Sequence, residues 1–120
     1  CADNAHIVHT NHPEYADPGN RPVITGGIVI KYNAQQRDAT DGLSAARFKE
    51  LCRDLSIPVQ TFTNRSDNPG GSTLGNISNT KVSMPTVDIG LAQLAMHSSY
   101  ETAGTLDTAY LVNASIQFFD

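Results

Sequence analysis

Short β-branched runs alternate along this chain with stretches whose apolar residues recur every three or four positions. Ile28-Val-Ile-Lys-Tyr32 is a compact apolar run and predicts a strand. Thr40 or Asp41 then offers a helix cap, and Leu43, Ala46, Phe48, Leu51, Cys52 and Leu55 form the apolar stripe of the helix that follows. Pro58-Val-Gln-Thr-Phe-Thr63 predicts a second strand. Asp67-Asn-Pro-Gly-Gly-Ser-Thr73 is a turn that opens a short helix between about Gly71 and Asn79. Pro85-Thr-Val-Asp-Ile-Gly90 predicts a third strand. A last helix is expected from Ser99 to Phe118, with Ala103, Leu106, Tyr110, Ala114 and Phe118 on one face. Between residues 13 and 27, three prolines and three glycines leave room only for a long loop.

The resulting order is strand, helix, strand, helix, strand, helix. That alternation predicts an α/β domain with a largely parallel sheet. In such sheets ligands bind beyond the carboxyl ends of the strands. His97 falls just after the strand expected at residues 85–90, which places it at such an end.

Length and charge narrow the class. At 120 residues the chain makes one domain, large enough to bury a core. A formal net charge of -4, with eight scattered Lys and Arg, argues against nucleic acid as a partner. No stretch approaches the ~20 apolar residues of a membrane span, and residues 1–12 lack the basic start of a signal peptide. Two cysteines, Cys1 and Cys52, are too few for a disulfide framework and read as free thiols, so a cytoplasmic location is expected.

The candidate chemistry begins at the N-terminus. Asp3, His6, His9 and His12 recur every three residues, and the only other histidine is His97. Carboxylates and imidazoles are the ligands of catalytic zinc sites. Ile7, Val8 and Thr10 are β-branched and Pro13 follows, so the segment reads as extended rather than helical. Side chains three apart on an extended chain point to opposite faces, so at most Asp3 and one histidine serve a common site. The competing reading is a solvated loop with surface histidines. For His97, after Leu94-Ala-Met96, a buried core histidine competes with a ligand. Lys31 is either a charge at a strand exit or a fixed cation for a substrate carboxylate. The Gly70-Gly-Ser-Thr73 turn can present backbone N–H groups to an anion, but no Gly-Lys-Ser/Thr follows and it is not a Walker A loop. Ser72, Ser98 and Ser99 lack a Gly-x-Ser-x-Gly elbow, which argues against a serine hydrolase.

Five segments carry a resemblance to a known family. Ala2-Asp-Asn-Ala-His-Ile-Val-His9, Gly27-Ile-Val-Ile-Lys-Tyr-Asn33, Gln36-Arg-Asp-Ala-Thr-Asp41, Gly70-Gly-Ser-Thr-Leu-Gly75 and Val87-Asp-Ile-Gly-Leu-Ala-Gln-Leu-Ala-Met-His-Ser98 resemble, in order, the aspartyl and vacuolar aminopeptidases. The resemblance implies the C-terminal portion of the catalytic domain of a dinuclear-zinc peptidase, a partial three-layer α/β sandwich. The inserted dimerisation domain and the N-terminal portion lie outside it. It implies two zinc ions, a peptide substrate and a homo-oligomer, the family's dodecamer. By the same resemblance Asp3 and His97 are metal ligands, and His6, Lys31, Asp38, Gly70 and Gly71 contact substrate. The general-base glutamate and the other ligands precede this region in the family, so no catalytic residue is assigned here.

Two departures stand out. Relatives usually carry Tyr where this chain has Asp38, and an acid there disfavours an acidic N-terminal side chain. The family's turn commonly begins Cys-Gly, whereas here it is Gly70-Gly71. Two other classes compete with the enzyme: an assembly or regulatory module of the same family, and an anion-binding protein that uses the Gly-rich turn. Upstream sequence that keeps the missing ligands and base separates the enzyme from the module, and zinc titration against phosphate binding separates it from the anion binder.

Overall fold

The computed structural model describes residues 1–120. Its centre is strand β2, Ile28–Tyr32, whose Ile28, Val29 and Ile30 are fully buried. Burial on both faces explains the unbroken apolar run. Alternation along β2 then divides the core in two. Ile28 and Ile30 face helix α1, Gly42–Asp54, with Ala45, Phe48 and Cys52, and are joined there by Ala114 of helix α3, Thr105–Phe119. Val29 faces the other way, against Ala5, Ala92, Ile7 and Phe62. Lys31 shares the parity of Val29, so its side chain emerges on that second face.

Strand β3, Val59–Thr63, pairs parallel with β2 from Ile28↔Val59 to Tyr32↔Thr63, with α1 as the crossover. The helix start is fixed by a capping box: Ser44 N–H donates to Asp41 Oδ1 at 2.7 Å and Asp41 N–H donates to Ser44 Oγ at 3.1 Å. The cap turns Ser44 and Ala45 inward and leaves Leu43 and Ala46 exposed, so the stripe is rotated from the expected one.

The third expected strand is shorter than its apolar run. Ile89–Gly90 forms β4 and runs antiparallel to β2, and Ala92–Leu94 forms β5 after a break at Leu91. Strand β1, Ala5–His6, lies parallel to β5, and β6, Thr102–Ala103, lies antiparallel to it. The α/β alternation is as expected, and parallel pairs are joined by antiparallel ones, because β4 runs against β2 and β6 against β5. Asp3 N–H donates to Ile89 O, Ala5 N–H to Leu91 O and Ile7 N–H to Gln93 O. Residues 1–7 are thereby laid along residues 89–93.

Helix α2, Leu74–Asn79, lies within its expected range. Helix α3 starts later than expected, because residues 99–104 supply the β5–β6 turn and β6 instead. Its inner face is Asp107, Tyr110, Leu111 and Ala114, while Leu106 and Phe118 are exposed. No helix is long and apolar enough to cross a membrane.

Asp107 is fully buried and accepts from Thr25 N–H at 2.7 Å and Gly27 N–H at 2.9 Å, tying the 13–27 loop to α3. Gly27 has φ +97°, and a Cβ there would run into the Pro58 carbonyl, so only glycine fits. Cys52 is fully buried, and burial pushes its thiol up to about 11. Thiol reagent at pH 8 is therefore expected to modify the exposed Cys1 in the native protein and to reach Cys52 only after denaturation, as peptide mass mapping would read. Rapid native labelling of Cys52 would contradict this packing.

Candidate functional site

Five separate stretches of the chain meet at the end of β2. Residues 3–6, Lys31, Asp38, Gly71-Ser-Thr73 and Met96-His97 line one cavity of about 250 Å³, with Phe62 and Asn64 completing the wall. Each is held there by its own local structure. Asn4 fastens the first segment: its amide donates to Gln93 Oε1 at 2.7 Å and its oxygen accepts from Leu91 N–H at 3.1 Å. Asp3, one residue earlier, is thereby fixed beside the end of β2. Strand geometry is regular only over Ala5–His6, so alternation does not separate Asp3 from His6, and both reach the cavity.

Lys31 is the cavity's one lysine or arginine. Its Nζ donates to Asp3 Oδ2 at 2.8 Å and to the Asn4 carbonyl at 3.3 Å, and lies 3.9 Å from Asp38 Oδ1. The Lys31 and Asp38 side chains are buried, at 9% and 4% exposure, whereas that of Asp3 is 52% exposed. Burial raises the Asp38 carboxyl above the usual carboxylate range, Lys31 pulls it back down, and Asp88 and Asp3 push it up.

The Asp38 segment is clamped on both sides. Ala39 N–H donates to Asp88 Oδ2, and Thr40 Oγ1 accepts from Asp88 N–H. The Arg37 carbonyl accepts from Thr73 N–H and Ser72 Oγ, tying this segment to the Gly-rich turn. Gly71 lines the cavity but Gly70 does not. The Gly70 carbonyl accepts from Arg37 Nη1 at 2.6 Å and Gly70 faces a neighbouring cleft. Thr73 is buried, its hydroxyl has no protein partner, and it stands on the cavity wall.

His97 is not a core histidine. It is exposed, in a turn where Ala95 and His97 both take left-handed φ, at 55° and 68°. That conformation costs a non-glycine residue of order 1 kcal/mol, and Glu101 helps hold it by accepting from His97 N–H at 2.5 Å. Shielding by the cavity walls, then His97 and Lys31, lower the pKa of His6, and Asp3 acts in the opposite sense. A lowered pKa favours the neutral ring, the form that binds metal or accepts a hydrogen bond.

The donor chemistry fits zinc in part. Neither ring nitrogen of His6 or His97 is engaged by another residue, and Asp3 keeps Oδ1 without a protein partner. Asp3 and His97 are N/O donors of the right type, but no group of three or more His, Cys, Asp or Glu side chains converges to close a site. His9 and His12 stand apart: His12 stacks on Tyr15 at 5.3 Å and pairs with Glu14 at 3.0 Å, and His9 Nδ1 accepts from Asn11 N–H.

Sequence reasoning missed Asn4, Thr73 and Asp88. Asp88 had a signal, an acid inside the apolar run Val87-Asp-Ile89. Thr73 lay in the Gly-rich turn already singled out, without a role of its own, and Asn4 had no signal, since its position depends on contacts distant in sequence.

Residues 1–119 match the family described as aminopeptidase I zinc metalloprotease, M18. A probable M18 family aminopeptidase 2 of Pseudomonas paraeruginosa is 48% identical over 118 residues, 98% of this chain and 28% of the relative. A chain of the Ape4 and Nbr1 complex superposes with a TM-score of 0.95 at 36% identity, over 98% of this chain and 22% of that one. The mApe1 dodecamer of S. cerevisiae superposes at 0.84 with 30% identity, over 98% and 25%. The chain spans just over a quarter of the length of the curated relatives it matches. It belongs to the aminopeptidase I family of zinc metalloproteases, M18.

Proposed function

We propose that the full-length protein is a zinc aminopeptidase that releases N-terminal residues from peptides, and that residues 1–120 are the C-terminal part of its catalytic domain. One observation carries the reading: Asp3, His6, Lys31, Asp38, Gly71 and His97, drawn from distant parts of the sequence, line a single cavity. Asp3 and His97 would each give one ligand to a pair of zinc ions, with the remaining ligands and the general base outside these 120 residues. Bound zinc would polarise the scissile carbonyl and activate water.

The chain's own residues bind and orient. His6, kept neutral, meets the substrate backbone as acceptor or donor. Lys31 holds Asp3 in place and sets the charge of the cavity floor. Gly71 brings bare backbone to the wall, and the unpartnered Thr73 hydroxyl is available to a substrate carbonyl or amide. A homo-oligomer of the dodecameric kind seen for yeast mApe1 belongs to this reading, as does a cytoplasmic location, consistent with two unpaired cysteines.

The test uses full-length protein. Hydrolysis of aminoacyl p-nitroanilides is expected, with loss on chelation and recovery on zinc addition. Asp3→Ala and His97→Ala are each expected to lower bound zinc, measured by elemental analysis. The isolated 120-residue chain is expected to show only background hydrolysis, since two ligands do not define two zinc sites. Zinc-loaded full-length protein that cleaves no aminoacyl substrate would sink the reading.

A further inference from the structure

Lys31 invites an anion, yet the cavity already holds its counter-ions. With Asp3 2.8 Å away and Asp38 3.9 Å away, its single charge faces two carboxylates. Asp3 is half-exposed and, on the reading above, turns its charge to metal. Asp38 has no such alternative. Its side chain is 4% exposed, accepts no hydrogen bond from the protein, and borders the cavity from a segment clamped by Asp88, Ser72 and Thr73. A buried carboxylate with unused acceptor capacity, rigidly held beside the one cation, acts on whatever enters.

We propose that Asp38 is a specificity-determining residue that cancels the attraction of Lys31 and makes this cavity reject acidic N-terminal side chains in favour of neutral ones. The inference rests on the aminopeptidase reading. Discrimination arises chiefly from the repulsive element: an entering carboxylate meets Asp38 and is denied a free Lys31, while an uncharged side chain of the same shape loses nothing.

The experiment compares isosteric substrates, aspartyl and asparaginyl p-nitroanilide, with leucyl p-nitroanilide as reference, on zinc-loaded full-length protein. Wild type is expected to show kcat/KM for the aspartyl substrate at least about tenfold below that for the asparaginyl one. Asp38→Asn, which removes the charge and keeps the shape, is expected to raise the aspartyl-to-asparaginyl ratio about tenfold. Asp38→Glu is expected to keep the ratio low. Free aspartate should also inhibit wild type at least about tenfold more weakly than free asparagine, a comparison that needs no variant to fold. A wild type that prefers the aspartyl substrate, or a ratio that moves less than about twofold in Asp38→Asn while leucyl turnover persists, would overturn the inference and leave the peptidase reading standing. Absence of cleavage of all three substrates would overturn both.

Discussion

Lys31→Met is expected to destabilise the protein by about 3 kcal/mol at pH 8, and adding Asp38→Asn is expected to recover most of that loss. Removing one partner of a buried ion pair leaves the other charge uncompensated, which is where the cost arises. The two acids differ in what they can do next. Asp3, half-exposed, swings to water, whereas Asp38 at 4% exposure cannot. Asp38 therefore carries the penalty, and neutralising it removes the penalty. The pH dependence follows. The folded pKa of Asp38 already lies above its ordinary value, through burial and despite Lys31. A raised carboxyl pKa means that the folded state holds the proton more tightly, so stability falls as pH rises through the interval above the ordinary carboxylate range. Deleting Lys31 lifts that pKa further, so the penalty should be smaller at pH 5 than at pH 8. Urea unfolding of the two single variants and the double variant at both pH values gives the coupling directly. Additive effects at pH 8 would show that Lys31 and Asp38 do not interact. On the proposed aminopeptidase reading, Lys31→Met in the full-length protein is also expected to lower hydrolysis, since Asp3 loses the hydrogen bond that fixes it.

Asp107→Ala is expected to cost about 3 kcal/mol, with Asp107→Asn costing roughly half as much. Asp107 is fully buried and its two oxygens accept from Thr25 and Gly27 N–H groups. Alanine strands the buried Gly27 N–H and leaves the part-buried Thr25 N–H without its partner. Asparagine keeps one acceptor and loses the negative charge that sits favourably in the first turn of α3. The effect should appear as a lower urea midpoint and as faster hydrogen exchange at Thr25 and Gly27. An alanine variant within about 0.5 kcal/mol of wild type would mean that the loop finds other partners.

Comparison of pattern with structure shows which information is local. The strand at 28–32 and the strand ending at Thr63 follow from β-branched runs and lie where the pattern puts them, and of the two caps the pattern allowed, Thr40 and Asp41, the capping box selects Asp41. What fails depends on neighbours remote in sequence. The run 85–90 is apolar enough for a longer strand, but only Ile89–Gly90 finds a partner in β2. Antiparallel pairing there is invisible to alternation, because the period is two in either direction. Residues 99–104 suit a helix by composition, yet β5 recruits Thr102–Ala103 as its neighbour.

The site divides in the same way. Ligand chemistry singled out Asp3, His6, His9, His12 and His97 and noted Lys31, and family resemblance narrowed these to Asp3, His6, Lys31 and His97 and added roles for Asp38 and the glycines. The exposure of His97 was hidden, since Leu94, Ala95 and Met96 suggest a core and only the left-handed turn reveals a surface. Gly70 and Gly71 are indistinguishable by type. The Arg37 side chain separates them by binding the Gly70 carbonyl.

The pairing of residues 1–7 with residues 89–93 has a consequence for the order of events during synthesis. Ala5 leaves the ribosome well ahead of its partner Ala92. At roughly 5–20 residues per second the first segment waits about five to fifteen seconds for its template. In that interval β2, α1 and β3 are already complete and can dock, because their contacts are nearer in sequence. Asp3 and His6 are therefore made before the elements that surround them and placed after those elements have docked. Closing so long a loop makes their docking a late step of folding, and places the assembly of the cavity there with it.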